Sequence, residues 1–177
     1  MDIIITESKL QTKEWRKSQK WYINGKHNEC EIYQIKLIEQ IINKKINKTG
    51  DRIFIEDLTI FSKKNIFKND NGFEYTENFD GYVTNNNIKY YFNLKFVCEN
   101  GGAQIRSLRE VYYFIKYQME HLLKYNDNIY FINILDGEFC HKISNKFDYL
   151  MNKKEYDKIK EYIFIGDMKK FQNYWKN

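Results

Sequence analysis

The stretch FDGYVTNNNIKYYFNLKFV, residues 79–97, decides how this chain folds. Two runs rich in aromatic and aliphatic residues, FDGYV at 79–83 and IKYYFNLKFV at 88–97, stand on either side of an asparagine turn. Such runs suit strands, and asparagine tolerates the positive backbone angles of a two-residue hairpin turn. With Asn86-Asn87 as the turn, pairing runs 85 with 88, 83 with 90, and onward until Asp80 lies opposite Asn93. Side chains alternate between the two faces of a strand. Asn93 and Lys95 therefore share one face, and Phe92, Leu94 and Phe96 the other. Asp80, Asn93 and Lys95 are expected to converge on one sheet face while the apolar set fills the core. A one-residue slip would break that convergence.

Downstream, residues 103–124 carry the strongest helical signal, with Ile105, Leu108, Tyr112, Ile115, Met119 and Leu122 in one apolar stripe. A strand at 129–135 ends at Asp136-Gly137, and a helix over roughly 145–160 follows, with Ser144 as its N-cap. The strand YIFIG and a short aromatic helix close the chain. Upstream, the pattern predicts a polar helix over 7–20, a turn at Asn24-Gly25, and an amphipathic helix over 29–47 bearing Ile35, Ile38, Ile42 and Ile46. IFIEDLTIF at 53–61 fits strand or helix. The polar stretch KKNIFKNDNG at 63–72 is the nearest thing to a boundary, and no repeat or low-complexity tract appears. The expectation is one α/β domain over 1–177 on a mixed central sheet flanked by helices. Within it, 1–62 form a helical N-terminal part, 73–136 the catalytic core and 137–177 a C-terminal helix-strand-helix.

Composition narrows the classes. Hydrophobic residues are 42% of the chain, enough for a sizeable core, and the mean hydropathy is −0.73. No run approaches the roughly 20 apolar residues that a bilayer crossing needs. The start, MDIIITESKLQTKEW, has no cleavage-like region and does not read as a secretory signal. Three widely spaced cysteines, Cys30, Cys98 and Cys140, cannot build a disulfide framework and suit a reducing, cytoplasmic setting. Twenty-nine Lys and Arg against 24 Asp and Glu leave a net charge of +5, a weak pointer to a polyanionic partner.

A lysine beside a carboxylate at a strand end has a recognisable chemistry. Carboxylates hold Mg²⁺, which takes oxygen ligands and keeps several waters. The metal grips a scissile phosphate and acidifies the attacking water, while the lysine orients that water and offsets transition-state charge. ENFDGYV, YYFNLKF and GGAQIRSLREVYYFIKYQ together resemble the active-site core of the PD-(D/E)XK nucleases, specifically the type II restriction endonucleases. In that family an Asp begins one hairpin strand and an acidic-X-Lys triplet lies on the next, followed by a helix and another strand.

The resemblance implies a restriction-endonuclease-like core in which Asp80 holds Mg²⁺ and Lys95 positions the water. Asn93 departs from the pattern, standing where the family has Asp or Glu. Some relatives draw the second carboxylate from the following helix, and Glu110 fits that swap, making Asp80 and Glu110 the metal pair. Asn93 would then add a weak ligand or a hydrogen bond. The implied partner is double-stranded DNA, cut at a short specific sequence by a homodimer, with no membrane involved.

Gly101-Gly102 allows a sharp turn, and the helix N-terminus beyond it favours a phosphate. Gln104, Arg106, Ser107 and Arg109 cluster there; arginine on guanine and glutamine on adenine are the usual major-groove pairings, so these are the candidate DNA contacts. Glu74, Glu77 and Glu39 read as ordinary acids, and Tyr113 and Tyr117 as packing residues. His27, Cys30, Cys140 and His141 would bind zinc only if the fold united them.

Overall fold

The computed structural model describes residues 3–25, 28–62, 73–125 and 127–177. In chain order the elements are α1 (Lys13–Ser18), α2 (Glu29–Ile42), β1 (Arg52–Ile53), β2 (Ile60–Phe61), β3 (Gly81–Asn85) and β4 (Ile88–Phe96). Then come α3 (Gly102–Lys124), β5 (Ile129–Asp136), α4 (Glu138–Lys142), α5 (Ser144–Met151), β6 (Ile163–Gly166) and α6 (Met168–Lys176). Short 3-10 segments occupy Ser8–Leu10 and Lys154–Tyr162. The stretch 63–72 and His27 lie outside the described residues.

The β3–β4 hairpin has the expected register: Asn85 pairs with Ile88, Val83 with Tyr90, and Gly81 with Phe92. Asn86 and Asn87 have φ of 53° and 66°, the double left-handed turn whose twist matches paired strands. The hairpin opens a four-stranded sheet ordered β3-β4-β5-β6, in which β3 is antiparallel to β4 while β4, β5 and β6 run parallel. Helix α3 makes the crossover from β4 to β5. The fold is thus α/β, with a mixed sheet flanked by helices.

Both sheet faces are buried, and period-two alternation sorts the side chains between them. Tyr91, Phe131 and Leu135 face one way and pack with Leu108, Val111 and Ile115 of α3. Phe92, Leu94, Ile132 and Ile134 face the other and pack with Leu37 and Ile38 of α2 and Met168 and Phe171 of α6. The N-terminal segment is tied down across the chain: Ser8 Oγ donates to Asp167 Oδ2 at 2.8 Å, and Gly137 N donates to Gln11 Oε1 at 2.8 Å. Gly137 itself has φ of 100°, and a β-carbon there would collide with the Val97 carbonyl, so only glycine fits where β5 hands over to α4.

Several elements are shorter than periodicity predicts, each for a local reason. The expected 7–20 helix is a 3-10 turn and then α1, which begins anew where Thr12 Oγ1 accepts from Trp15 N at 3.0 Å. Helix α2 stops at Ile42 rather than 47 because Asn43 turns left-handed, φ 54°, and Glu39 accepts from Ile46 N. The helix expected over 145–160 breaks after Met151 and resumes as a 3-10 segment; Ser144 is its first residue and makes no capping bond. Residues 53–61 are neither one strand nor one helix. They hold the ends of β1 and β2 and a turn with Leu58 at φ 64°, braced by Thr59 Oγ1 donating to Asp57 Oδ1.

The α3 stripe also differs. Ile105 is 43% exposed, while Val111, Phe114 and Gln118 join the buried set, because α3 lies along the sheet and buries a wider arc than a three-four stripe.

Candidate active site

The parallel strands β4 and β5 end beside the N-terminal halves of α2 and α3, and a cleft of about 490 Å³ opens there. Lys95, Glu31, Gln34, Ser107, Arg16 and Trp21 are among the residues that line it. In open α/β sheets, the carboxyl ends of parallel strands are where ligands bind. Trp21 stacks on Tyr33 at 4.7 Å, and Trp15 on Phe96 at 6.1 Å, giving this end of the sheet an aromatic wall.

Asp80 immediately precedes β3. Its backbone N donates to Phe92 O at 2.8 Å, and its Oδ2 accepts from Leu94 N at 2.6 Å. The carboxylate is therefore anchored to the backbone of β4. Burial pushes its pKa up to about 7 against the lowering effect of the Leu94 N–H; Glu31 and Glu77 raise it further and Lys95 lowers it. Lys95 Nζ lies 3.1 Å from Glu77 Oε2. Glu77, which reads in the sequence as an ordinary loop acid, is thus the direct ion partner of Lys95.

A second carboxylate braces the same end of the sheet. Gln34 Nε2 donates to Lys95 O at 3.0 Å and to Asp136 Oδ2 at 2.8 Å, joining α2 to the ends of β4 and β5. Asp136 Oδ1 accepts from Met168 N at 3.0 Å. Burial raises the Asp136 pKa to about 7, opposed by those donors. Sequence patterns missed Glu31, Gln34 and Asp136. The available signals were a Glu-x-x-Gln pair on one helical face and an acid just before the glycine that ends β5.

Asn93 stands differently from the expectation. It is opposite Asp80 in register but only 1% exposed. Its Nδ2 donates to Asn133 Oδ1 at 2.9 Å, and Asn133 exchanges two further hydrogen bonds with Gln118 of α3, of 2.7 and 3.0 Å. The register keeps Asn93 and Lys95 on one sheet face with Asp80 opposite Asn93, but that face is closed over Asn93. Because α3 covers that face, Asn93 belongs to a satisfied interior amide network, while Lys95 pairs with Glu77 and the charges of Glu31 and Glu77 act on Asp80.

Glu110 is exposed on α3, and its side chain makes no hydrogen bond or ion pair with any described residue. It lies one turn before Phe114, whose ring packs on Phe79 at 4.8 Å, next to Asp80. Ser107 shares the cleft with Lys95. Gln104 folds back beside Gly101, and Arg106 and Arg109 are exposed; Arg109 lines a different cleft. The N-cap Gly101 provides no side-chain bond to the first turn of α3.

Among the described residues no group of three His, Cys, Asp or Glu side chains could by itself hold a metal ion, which bears on both zinc and magnesium. Mg²⁺, however, is commonly bound through one or two carboxylates, its own waters and substrate phosphate. An all-oxygen site at Asp80, whose charge is opposed by burial and by two neighbouring acids, fits that requirement in donor chemistry. Of the residues read as a zinc set, His27 lies outside the described residues; among those described, Cys30, Cys140 and His141 are not in any group of three His, Cys, Asp or Glu side chains that could hold a metal ion.

The two raised carboxyls predict a pH dependence for the metal-free protein. Folded Asp80 and Asp136 keep their protons to about pH 7, whereas unfolded aspartate releases its proton near ~3.9. The folded state binds more protons between those values, so stability falls as pH rises through that window and levels off above it. Denaturant melts in EDTA are expected to show greater stability at pH 5 than at pH 8, by on the order of 2–4 kcal/mol. Equal or greater stability at pH 8 would show that these carboxyls are ionised at little cost.

No helix among the described residues is long and apolar enough to cross a membrane. No protein-family profile, curated protein or solved structure matches the chain.

Proposed function

We propose that this chain is a Mg²⁺-dependent endonuclease of the type II restriction class, hydrolysing phosphodiester bonds of double-stranded DNA at a short specific sequence on a restriction-endonuclease-like core. One observation carries the reading. Asp80 stands at the start of one hairpin strand and Lys95 on the next, close enough that the lysine's charge lowers the Asp80 pKa; Lys95 lines the cleft, and a helix and parallel strand follow. That arrangement matches the order the sequence resemblance implies.

Asp80 would hold Mg²⁺ together with Glu110, and Glu31 and Glu77 are further carboxylates whose charge reaches Asp80. Bound Mg²⁺ supplies charge neutralisation at a phosphate and a more acidic water. Lys95 lines the cleft and its ammonium pairs with Glu77; released from that pair, it would orient the nucleophilic water and offset charge on the phosphate. The start of α3 offers uncapped backbone N–H groups, with Ser107 in the cleft, Gln104 and Arg106 on the same first turns and Arg109 at the neighbouring cleft, for phosphates and base edges. A symmetric homodimer would cut both strands of a palindromic site, and a cytoplasmic setting suits the free cysteines.

The buried position of Asn93 favours a second reading, a sequence-specific DNA-binding protein that does not cleave. Incubating the purified chain with mixed-sequence plasmid, with and without Mg²⁺, separates the two. Discrete Mg²⁺-dependent fragments are expected. Uncut plasmid that still binds, with affinity falling steeply as salt rises, would favour the non-cleaving reading. Neither cutting nor binding would remove both.

Glu110→Gln addresses the second carboxylate. It is expected to raise the Mg²⁺ concentration for half-maximal cleavage by at least about tenfold, since even groups beyond the direct ligands tune metal affinity by about that much. An unchanged Mg²⁺ requirement would move the second ligand to Glu31 or Glu77.

A further inference from the structure

A second cleft, about 660 Å³ in volume, lies between α3 and α5. Its floor includes the buried side chains of Leu108, Phe139 and Phe147. Its mouth carries two large apolar groups in solvent, Ile105 at 43% and Tyr149 at 68% exposure. Around them stand two cations, Arg109 and Lys146, and two amides, Asn100 and Asn145.

The charge is one-sided. The cleft beside Lys95 mixes Arg16 and Lys95 with Glu29 and Glu31, whereas no acid lines this one. Arg109, Lys146, Asn100 and Asn145 are exposed and hydrated, so a purely apolar ligand gains nothing from them, and a simple anion leaves the aromatic floor uncovered. A flat heteroaromatic ring carrying a phosphate satisfies all three: the ring lies on apolar and tyrosine surface, its edge meets the amides, and the phosphate meets Arg109 and Lys146.

We infer that this cleft binds one mononucleotide unit, a nucleobase bearing a phosphate. The inference shares Arg109 with the proposed DNA contacts but does not rest on the nuclease chemistry, because Asp80, Lys95 and Glu110 are not among the lining residues.

The test is a calorimetric titration of the whole chain, without Mg²⁺ and at low salt, with deoxyadenosine monophosphate, deoxyadenosine, inorganic phosphate and a polyglutamate peptide. The nucleotide is expected to bind at least about tenfold tighter than the nucleoside or phosphate alone, because each supplies half of the recognition. Lys146→Ala and Tyr149→Ala alter exposed side chains, so their melting temperatures should stay near that of the parent. Each is expected to weaken nucleotide binding by at least about fivefold.

A duplex carrying the fluorescent base aminopurine distinguishes the source of the unit. Brightening that Tyr149→Ala removes would identify a nucleotide turned out of DNA, and nucleotide binding without brightening would identify a free one. Nucleoside or polyglutamate binding as tight as the nucleotide would overturn the inference. So would nucleotide binding indifferent to both variants, or a failure of both the titration and the brightening. None of these readouts depends on cleavage, so the nuclease reading can fail without this one.

Discussion

Lys95→Ala is expected to slow Mg²⁺-dependent DNA cleavage by about 10²–10⁴-fold, the range in which a positioned proton-transfer or charge-stabilising group acts. DNA affinity should change little, because one cation among several contributes only one unit to the salt slope. The fold should tolerate the change. Lys95 is partly exposed, and its ion pair with Glu77 joins two side chains 25% and 35% exposed, a setting in which such pairs are worth about 0–1 kcal/mol. The measurement is single-turnover cleavage alongside a binding isotherm and a melting curve for the same variant. Cleavage at the parent rate would displace Lys95 from the chemistry and, with it, the assignment of this cleft. Loss of binding together with cleavage would make Lys95 a DNA contact.

Asn93→Asp separates the family pattern from what surrounds this position. If the acidic-X-Lys triplet operated here as the pattern has it, restoring the acid would strengthen Mg²⁺-dependent cleavage. The neighbourhood of Asn93 leads to the opposite expectation. Its amide donates to Asn133 Oδ1 inside a network that Gln118 completes, and the residue is 1% exposed. A carboxylate there would face an acceptor oxygen and lose the donor that joins β4 to β5.

Leaving an uncompensated buried charge costs about 3–5 kcal/mol, and the group escapes part of that by staying protonated. Asn93→Asp is therefore expected to destabilise the fold by about that amount at pH 8 and by less at pH 5. The sign follows from a folded-state pKa raised above the unfolded value: stability falls as pH climbs between the two. Denaturant melts at both pH values check it. An unchanged melt with enhanced cleavage would show that the side chain reaches the cleft, and would restore Asn93 to the metal site.

These two variants mark the limit of what local pattern conveys. The hairpin was legible because its determinants are local: Asn86-Asn87 supply the turn, and alternation sets Phe92 and Leu94 apart from Asn93 and Lys95. Helix α3 was legible for the same reason, within a residue at its start. The shorter α2, the restart at Thr12 and the break after Met151 were not, because periodicity continues through positions where a cap or a left-handed residue ends the element.

Around the candidate site, the places of Asp80 and Lys95 on the hairpin were legible from register, while the contacts of Glu31, Gln34 and Asp136 were not. Gln34 and Asp136 are 102 residues apart and meet through one hydrogen bond of 2.8 Å, a contact made only when α2 packs on the sheet.

By itself the sequence determined an α/β chain with an Asn-turned hairpin, its register, and the strand-helix-strand order that follows, since turn chemistry and side-chain period act over a few residues. Only the tertiary structure decided how far along β4 each face is covered. A strand covered on both sides buries both of its alternating sets, so Asn93 became part of the interior when α3 packed across it. Lys95, two residues farther along the same strand, emerged where that cover ends.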